Sequence, residues 1–302
     1  MFSRGETALT VTVPAAERVV GPWRERYDPS TAYGVPAHVT VLYPFLDAEE
    51  VDEGALRELF GACERFDLVF ERAARFPGLV YLVPEPAEPV RRLTEAVVAR
   101  WPEAQPYRGK HGEITPHLTV GQGLDEAGAV AIERGLDGLP VRMRVSGVTL
   151  EVFDGERWRR RACFPFGEVG EAEFGFPGPL RDKLVAAILA GAKTATSSLL
   201  LDHEHAGEPL PVAGSWDALI DSAGRRVALL ETTEVRVVPI REIDDAFARD
   251  EGEGYSGVGE WRAGHERFWL GPEHVAYLGG RAPVIDDDTL VVTERFRLLQ
   301  TL

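Results

Sequence analysis

The 302-residue sequence contains only two cysteines, Cys63 and Cys163, and only three lysines against 30 arginines. Neither cysteine has a histidine or a second cysteine at metal-binding spacing, so both are expected to be free, buried thiols. Arginine does not release its proton at physiological pH and therefore cannot replace a lysine that acts as a base. Each of the three lysines, Lys110, Lys183 and Lys193, is consequently informative.

Long apolar runs are also missing, since none approaches the roughly 18 residues that span a bilayer. The first residues, MFSRGETALTVTVP, enter an alternating strand pattern without the apolar core of a secretion signal. We therefore expect a cytoplasmic protein with no membrane partner.

Positive charge is scarce as well, because the formal net charge is −16, with −6 in residues 1–170 and −10 in residues 171–302. Neither half offers the basic surface on which non-specific nucleic-acid binding depends. No DNA partner is expected. An RNA partner would be bound through a terminus or as a small ligand.

The length predicts two domains. In the first part, alternating and helical apolar spacings predict strands at 7–14, 37–45, 66–72, 78–83 and 114–122, helices at 14–27, 53–65, 86–102 and 125–136, and a strand ribbon at 141–166. This order favours two similar α+β lobes. A segment rich in glycine, proline and glutamate at 167–179 predicts a boundary, which gives domains 1–168 and 169–302.

The second part predicts a helix at 178–194 that closes near Gly191, β runs within 211–240 and a last strand at 288–299. Helices at 241–249 and 257–270 interrupt these strands. Few helices among many short strands favour a small β-barrel with flanking helices, so the fold class of the whole chain is α+β.

A His-x-Thr-Val pattern occurs twice in apolar strands, as AHVTVLYPF (37–45) and PHLTVGQ (116–122). Residues i and i+2 of a strand share a face, so His38 projects with Thr40 and His117 with Thr119. A single His-x-Thr is usually a satisfied histidine beside a β-forming threonine. Two copies, each in a corresponding place in its lobe, indicate a shared site.

Two histidines and two hydroxyls suit displacement at phosphorus. One imidazole can take a proton from the attacking oxygen while the other protonates the leaving oxygen, and the threonines can donate to the non-bridging oxygens. Histidine fits both roles, because its pKa of about 6.5 allows one neutral and one protonated ring near neutral pH. This design requires no metal and no cofactor.

The HVTV and HLTV pair, with the ALTVTVP strand and the GVPAHVTVLYPF context, resembles the two-histidine (2H) phosphoesterases, which include the 2'-5' RNA ligase-like proteins. The resemblance covers about residues 6–166. It implies a bilobal fold with a central cleft, an acid/base pair at His38 and His117, and phosphate ligands at Thr40 and Thr119. It also implies a substrate with a 2',3'-cyclic phosphate or a 2'-5' linkage.

The chemical feature of the second part is LAGAKTATSSLL (189–200), where hydroxyl residues follow Lys193. Hydroxyls beside a helix end typically cap and turn the chain, which alone would explain them. Lys193 and Thr196 also permit a nucleophile with an amine base, provided that a pocket desolvates the lysine.

Together with AGAKTATSSL, the segment ETTEVRVVPIREIDDAFARDEGEGYSGVGEWRAGHERFW resembles the ASCH family, whose barrel is related to the PUA fold, over about residues 172–299. The resemblance implies binding of RNA or a modified nucleoside, or hydrolysis of an N4-acylated cytidine. In the hydrolytic branch, Thr196 would attack the amide carbonyl, Lys193 would assist proton transfer, and Glu251 would orient or shuttle the proton.

Blander interpretations of the second part stay open. The acidic run around Glu251 could be a solvated loop. Trp261 and Trp269 have helical spacing and are expected in the core. His203 and His205 are too few ligands for a metal site.

Overall fold

The computed structural model describes residues 2–109 and 115–302. The chain divides into two compact units. One holds residues up to Val169 together with Gly214–Trp216, and the other holds Gly170–Ala213 and Asp217–Leu302. In the described residues, no helix is both long enough and apolar enough to cross a membrane.

Within residues 2–109 and 115–169, the N-terminal unit contains eight strands and four α-helices. Its strands are β1 (Thr7–Thr12), β2 (His38–Leu42), β3 (Phe66–Phe76), β4 (Leu79–Glu85), β5 (Leu118–Gln122), β6 (Val141–Val145), β7 (Gly147–Phe153) and β8 (Trp158–Pro165). Its helices are α1 (Glu17–Tyr27), α2 (Glu53–Gly61), α3 (Glu88–Arg100) and α4 (Glu126–Gly135), with short 3-10 helices at Pro14–Ala16, Pro29–Tyr33 and Pro106–Gly109.

These strands form two antiparallel four-stranded sheets, in the orders β2-β1-β7-β8 and β5-β4-β3-β6. Each sheet therefore carries one His-x-Thr segment at an edge, on β2 or at the start of β5. The two edge strands contact one another, and one apolar core underlies both sheets. The expected α+β class with two lobes is confirmed.

A buried ion pair ties the second edge strand to the first helix. Arg24 on α1 contacts Asp28 with Nη2 and Oδ2 3.0 Å apart, and both side chains are 3% exposed. The other carboxylate oxygen of Asp28 accepts a hydrogen bond from Nε2 of Gln122, at the end of β5 (3.0 Å). Removing one partner of such a pair costs about 3–5 kcal/mol, because it leaves a buried charge uncompensated.

The C-terminal unit is a five-stranded sheet with helices around it. The strands, in the order β10-β13-β12-β11-β9, are β9 (Gly170–Ala172), β10 (Ala195–Leu199), β11 (Trp216–Ile220), β12 (Arg226–Pro239) and β13 (Leu290–Thr301). The helices are α5 (Pro179–Leu189), α6 (Leu200–Ala206), α7 (Asp245–Asp250), α8 (Val258–Trp269) and α9 (Pro272–Tyr277), with a 3-10 turn at Ile240–Glu242. Trp261 and Trp269 are fully buried, as expected for core residues.

Several element boundaries differ from the sequence-based expectations. Helix α5 ends at Leu189, shortly before Gly191, which adopts a left-handed φ of 72°. The predicted strand at 114–122 begins at Leu118, and position 114 lies outside the described residues. The hydroxyl cluster after Lys193 does not turn the chain, since Ala195–Leu199 forms strand β10 with both ends buried.

Candidate functional site

The two histidines of the N-terminal unit are held in the same way. Nδ1 of His38 lies 2.8 Å from the Pro36 carbonyl oxygen, and Nδ1 of His117 lies 2.8 Å from that of Thr115. A carbonyl oxygen can only accept, so Nδ1 carries the hydrogen in both rings. This fixes the tautomer and leaves Nε2 as the nitrogen that can take or give a proton.

The rings are close enough to influence one another. The pKa of His38 is lowered to about 4, mainly by burial and also by the nearby Arg24 and His117, against the hydrogen bond to Pro36 and the Asp28 carboxylate, which raise it. Burial also lowers the pKa of His117. Both imidazoles are therefore neutral at pH 7 in the free protein, and a bound phosphate anion would favour their protonation.

The two threonines have different surroundings. Thr40 lies in the same small pocket as His117 and Tyr107, whose hydroxyl is hydrogen-bonded to Thr40. Thr119 pairs in register with Tyr81 on β4. Tyr81 stacks on Phe76 with ring centroids 4.5 Å apart, and both rings meet the ring of His117 edge-on. These contacts give His117 an aromatic support.

A second cluster of ionisable groups is buried in the C-terminal unit around Glu251, which is 0% exposed. Its Oε1 accepts hydrogen bonds from the Ser197 hydroxyl (2.7 Å) and from Nε1 of Trp261 (2.9 Å). Its Oε2 lies 3.2 Å from Nε2 of His265 and 3.6 Å from Nζ of Lys193. Burial alone would raise the pKa of Glu251, but these partners outweigh it and lower the pKa to about 2.

Lys193 and His265 are the two basic side chains that face the Glu251 carboxylate. Nζ of Lys193 donates to the Glu251 carbonyl (3.1 Å) and to the Glu253 carboxylate (2.9 Å). Nδ1 of His265 donates to the Trp261 carbonyl, while Nε2 faces Glu251 and Ser197. Burial alone would lower the pKa of His265, but the Glu251 carboxylate raises it above its ordinary value.

The carboxylates of Glu251 and Glu253 and the imidazole of His265 also form a donor set that could hold a metal ion, with ligand atoms within 4.8 Å of one another. The ammonium group of Lys193 already lies between the two carboxylates. It offsets one of their two negative charges.

Comparisons with known proteins identify both units. Residues 12–157 match the family model of the 2'-5' RNA ligase superfamily, and residues 172–300 match that of the ASCH domain. The chain joins a 2'-5' RNA ligase superfamily domain to an ASCH domain. No curated protein matches the chain.

Among solved structures, the chain is similar to protein EF3133 from Enterococcus faecalis V583, at 27% identity over 44% of this chain and 77% of that one, with a TM-score of 0.38. It is similar to an ASCH domain from Lactobacillus crispatus JV V101, at 24% identity over 44% and 80%, with a TM-score of 0.39. It is also similar to E. coli LigT complexed with 3'-AMP, at 18% identity over 55% and 100%, with a TM-score of 0.39.

The structure brings most of the sequence-predicted residues into two groups. In the ligase-superfamily domain, His38 interacts with His117, and Thr40 shares a pocket with His117. In the ASCH domain, Lys193 contacts Glu251. Thr196 lines the adjacent cavity, and within the described residues no hydrogen bond joins it to Lys193 or Glu251.

Sequence reasoning missed three contributors to the ASCH cluster. Ser197, Glu253 and His265 contact Lys193 or Glu251, and Trp261 adds a hydrogen bond to its expected role in the core. The helical spacing of residues in α8 was one indication in the sequence that His265 belongs to this cluster. His265 follows Trp261 by four residues and so lies on the same helix face.

Gly252 allows the Lys193 segment to approach Glu251. Its φ is 64°, and an added Cβ would overlap the Ala192 carbonyl and lie 2.6 Å from the Cα of Lys193. Gly254 has a φ of 98°, and its added Cβ would meet no atom within 4 Å. Substitutions at the two glycines therefore distinguish the cost of backbone strain alone from the cost of strain together with steric overlap.

We expect Gly252→Ala to lower the free energy of unfolding of the ASCH domain by about 2 kcal/mol or more, because strain and overlap add. The matched Gly254→Ala should cost only about 1–2 kcal/mol from its left-handed φ. Urea unfolding of both variants measures the difference. Equal destabilisation would show that the close approach at Gly252 has no energetic role.

Proposed function

We propose that the ligase-superfamily domain catalyses metal-independent phosphoester chemistry on a 2',3'-cyclic phosphate or 2'-5'-linked ribonucleotide. The observation that carries the proposal is the matched pair of histidines, each with Nδ1 bound to the carbonyl two residues earlier. One is the first residue of β2 and the other immediately precedes β5, and these two edge strands contact one another. In this arrangement, one Nε2 atom can accept a proton while the other donates one.

The proposed hydrolysis consumes one water molecule and uses no cofactor. A water oxygen attacks phosphorus, one imidazole takes the water proton, and the other imidazole protonates the ribose oxygen as its bond to phosphorus breaks. A ribose hydroxyl in place of water gives the ligase direction. Thr40 and Thr119 are proposed as donors to the non-bridging oxygens.

For the ASCH domain we propose hydrolysis of an N4-acylated cytidine by Lys193, Thr196 and Glu251. The specific observation in favour is the burial of Lys193, at 1% exposed, against Glu251 beside a cavity that Thr196 lines. The Thr196 oxygen would bond to the acyl carbon as the carbon–nitrogen bond breaks. The threonine proton would pass through Lys193 to the leaving amine, and water would then release the acid.

A non-catalytic RNA-binding role for the ASCH domain is the rival interpretation. The residues that line its cavity include seven carboxylates but only two residues of fixed positive charge, Lys183 and Arg267. Such a wall repels a phosphate backbone, so the cavity favours an uncharged nucleoside over an RNA strand.

Replacing either N-terminal histidine tests the first function. His38→Ala and His117→Ala should each lower turnover of a 2',3'-cyclic nucleotide by about 100-fold or more, the usual contribution of an acid or base. The exposed His205 gives a matched control, and His205→Ala should leave both turnover and thermal stability unchanged. Wild-type turnover in His38→Ala would disprove the assignment.

The pH dependence of kcat/KM gives an independent test. The reactive form has one neutral and one protonated histidine, so its population is greatest between the two pKa values, and both lie below 6.5. We expect an acidic optimum and a fall of more than about tenfold between pH 6 and pH 8. An optimum above pH 7.5 would contradict this expectation.

Release of acetate from N4-acetylcytidine by the full chain tests the second function. Lys193→Ala should abolish it. Lys193→Arg keeps the charge between Glu251 and Glu253 but cannot transfer the proton, so it should retain more stability than Lys193→Ala while staying inactive. No acetate release by the wild-type protein, or activity retained in Lys193→Arg, would contradict the function.

A further inference from the structure

The ASCH domain contains a cavity of about 900 Å³, which is large enough for a nucleoside. Thr196, Glu294 and Phe296 of the sheet line it, as do Tyr255, His265 and Phe268. The Glu251 cluster borders this space through Ser197, Glu253 and His265. None of the roles proposed above uses Glu294.

The register of the sheet places Glu294 beside Thr196. Glu294 lies on β13, where it pairs with Thr196 of β10 on one side and with Val235 of β12 on the other. Residues opposite one another in an antiparallel pair project to the same face, with Cβ atoms about 5 Å apart. The carboxyl group and the threonine hydroxyl therefore enter the cavity side by side.

No group in the described part of the protein compensates the Glu294 carboxyl. Among residues 2–109 and 115–302, no side chain or backbone group donates a hydrogen bond to it, and no cation pairs with it. Its sheet neighbour Glu231, by contrast, is paired with Arg297, with Oε2 and Nε 2.5 Å apart. The Glu294 carboxyl therefore has its donor and acceptor positions available to a ligand in the cavity.

We propose that Glu294 binds the hydrogen-bonding edge of a nucleobase in this cavity, next to Thr196. A protonated carboxyl presents one donor and one acceptor side by side. Cytosine presents the complementary pair, a ring nitrogen that accepts and an exocyclic N–H that donates. Phe296 is two residues farther along the same strand face and gives the base an apolar wall.

The position of Thr196 gives this contact a chemical consequence. An acyl group on the exocyclic nitrogen of a base held by Glu294 would begin beside that carboxyl, within reach of the neighbouring Thr196 hydroxyl. The orientation of the acyl group rests on the amidohydrolase function proposed above. Binding of the base does not.

Protonation of Glu294 links binding to pH. Burial raises the pKa of Glu294 to about 7, and the Asp217 carboxylate adds to the effect. The other ionisable groups that face this cavity from neighbouring elements include Lys183 on α5, Asp202 and His203 on α6, Glu253, and His265 on α8. Below pH 7 the carboxyl keeps its donor, and above pH 7 it loses the donor.

Calorimetric titration of the full chain with cytidine between pH 5.5 and 8.5 tests the proposal. Wild-type affinity should fall about tenfold or more as the pH rises from 6 to 8.5, because the donor is lost. Glu294→Gln keeps a donor and an acceptor at every pH, so its affinity should stay constant over the same range. Glu294→Ala should bind at least about tenfold more weakly than the wild type at pH 6.

Equal affinity in Glu294→Ala and the wild type at pH 6, or the same pH dependence in Glu294→Gln and the wild type, would overturn the proposal. So would a wild-type chain that binds no cytidine. Acetate release from N4-acetylcytidine, measured on the same samples, separates the two hypotheses. The predicted cytidine binding without acetate release supports the role of Glu294 and contradicts the amidohydrolase function alone.

Discussion

Alternation of side chains along a β-strand is the constraint on which both sites depend. His38 and Thr40 share a face of β2 because they are two residues apart, and His117 and Thr119 have the same spacing where β5 begins at Leu118. Each segment lies at the edge of its sheet, and the two edge strands contact one another. In the ASCH domain the same rule, applied across strands, places Thr196 beside Glu294. A one-residue shift in the pairing of β10 with β13 would remove Thr196 from its place opposite Glu294.

Buried charges also need compensating partners, and the two domains provide them differently. The ligase-superfamily domain buries the Arg24–Asp28 pair next to its histidines and leaves the imidazoles neutral. The ASCH domain buries Glu251 against the Lys193 ammonium and the His265 imidazole, whose pKa the Glu251 carboxylate raises. An anion bound beside the neutral imidazoles of the first domain would favour their protonation. Glu251 has its compensating partners within the protein.

The sequence was most informative where reactive side chains recur at the two-residue spacing of a β-strand. The repeated His-x-Thr pattern pointed to two segments that the fold places at contacting edge strands. The hydroxyl-rich composition of residues 195–199 is typical of a turn. The segment is a strand instead, with Ala195 and Leu199 buried. Composition reflects only local preferences, whereas the extended conformation of this segment is stabilised by its pairing with β13.

Long-range contacts explain the other omissions. Glu294, in VVTERF, looks like an ordinary strand residue with an exposed charge, and only the pairing of β13 with β10 shows that it enters a cavity. His265 reaches Glu251 because α8 packs its Trp261 face inward, which no short motif encodes. Glu294 and Glu251 occupy neighbouring parts of one domain, yet burial dominates at Glu294 and raises its pKa to about 7, whereas paired partners dominate at Glu251 and lower its pKa to about 2. A carboxyl that can change its protonation state near neutral pH and one that stays ionised can serve different purposes. The first can exchange hydrogen bonds with a ligand, while the second can hold Lys193 and His265 in place.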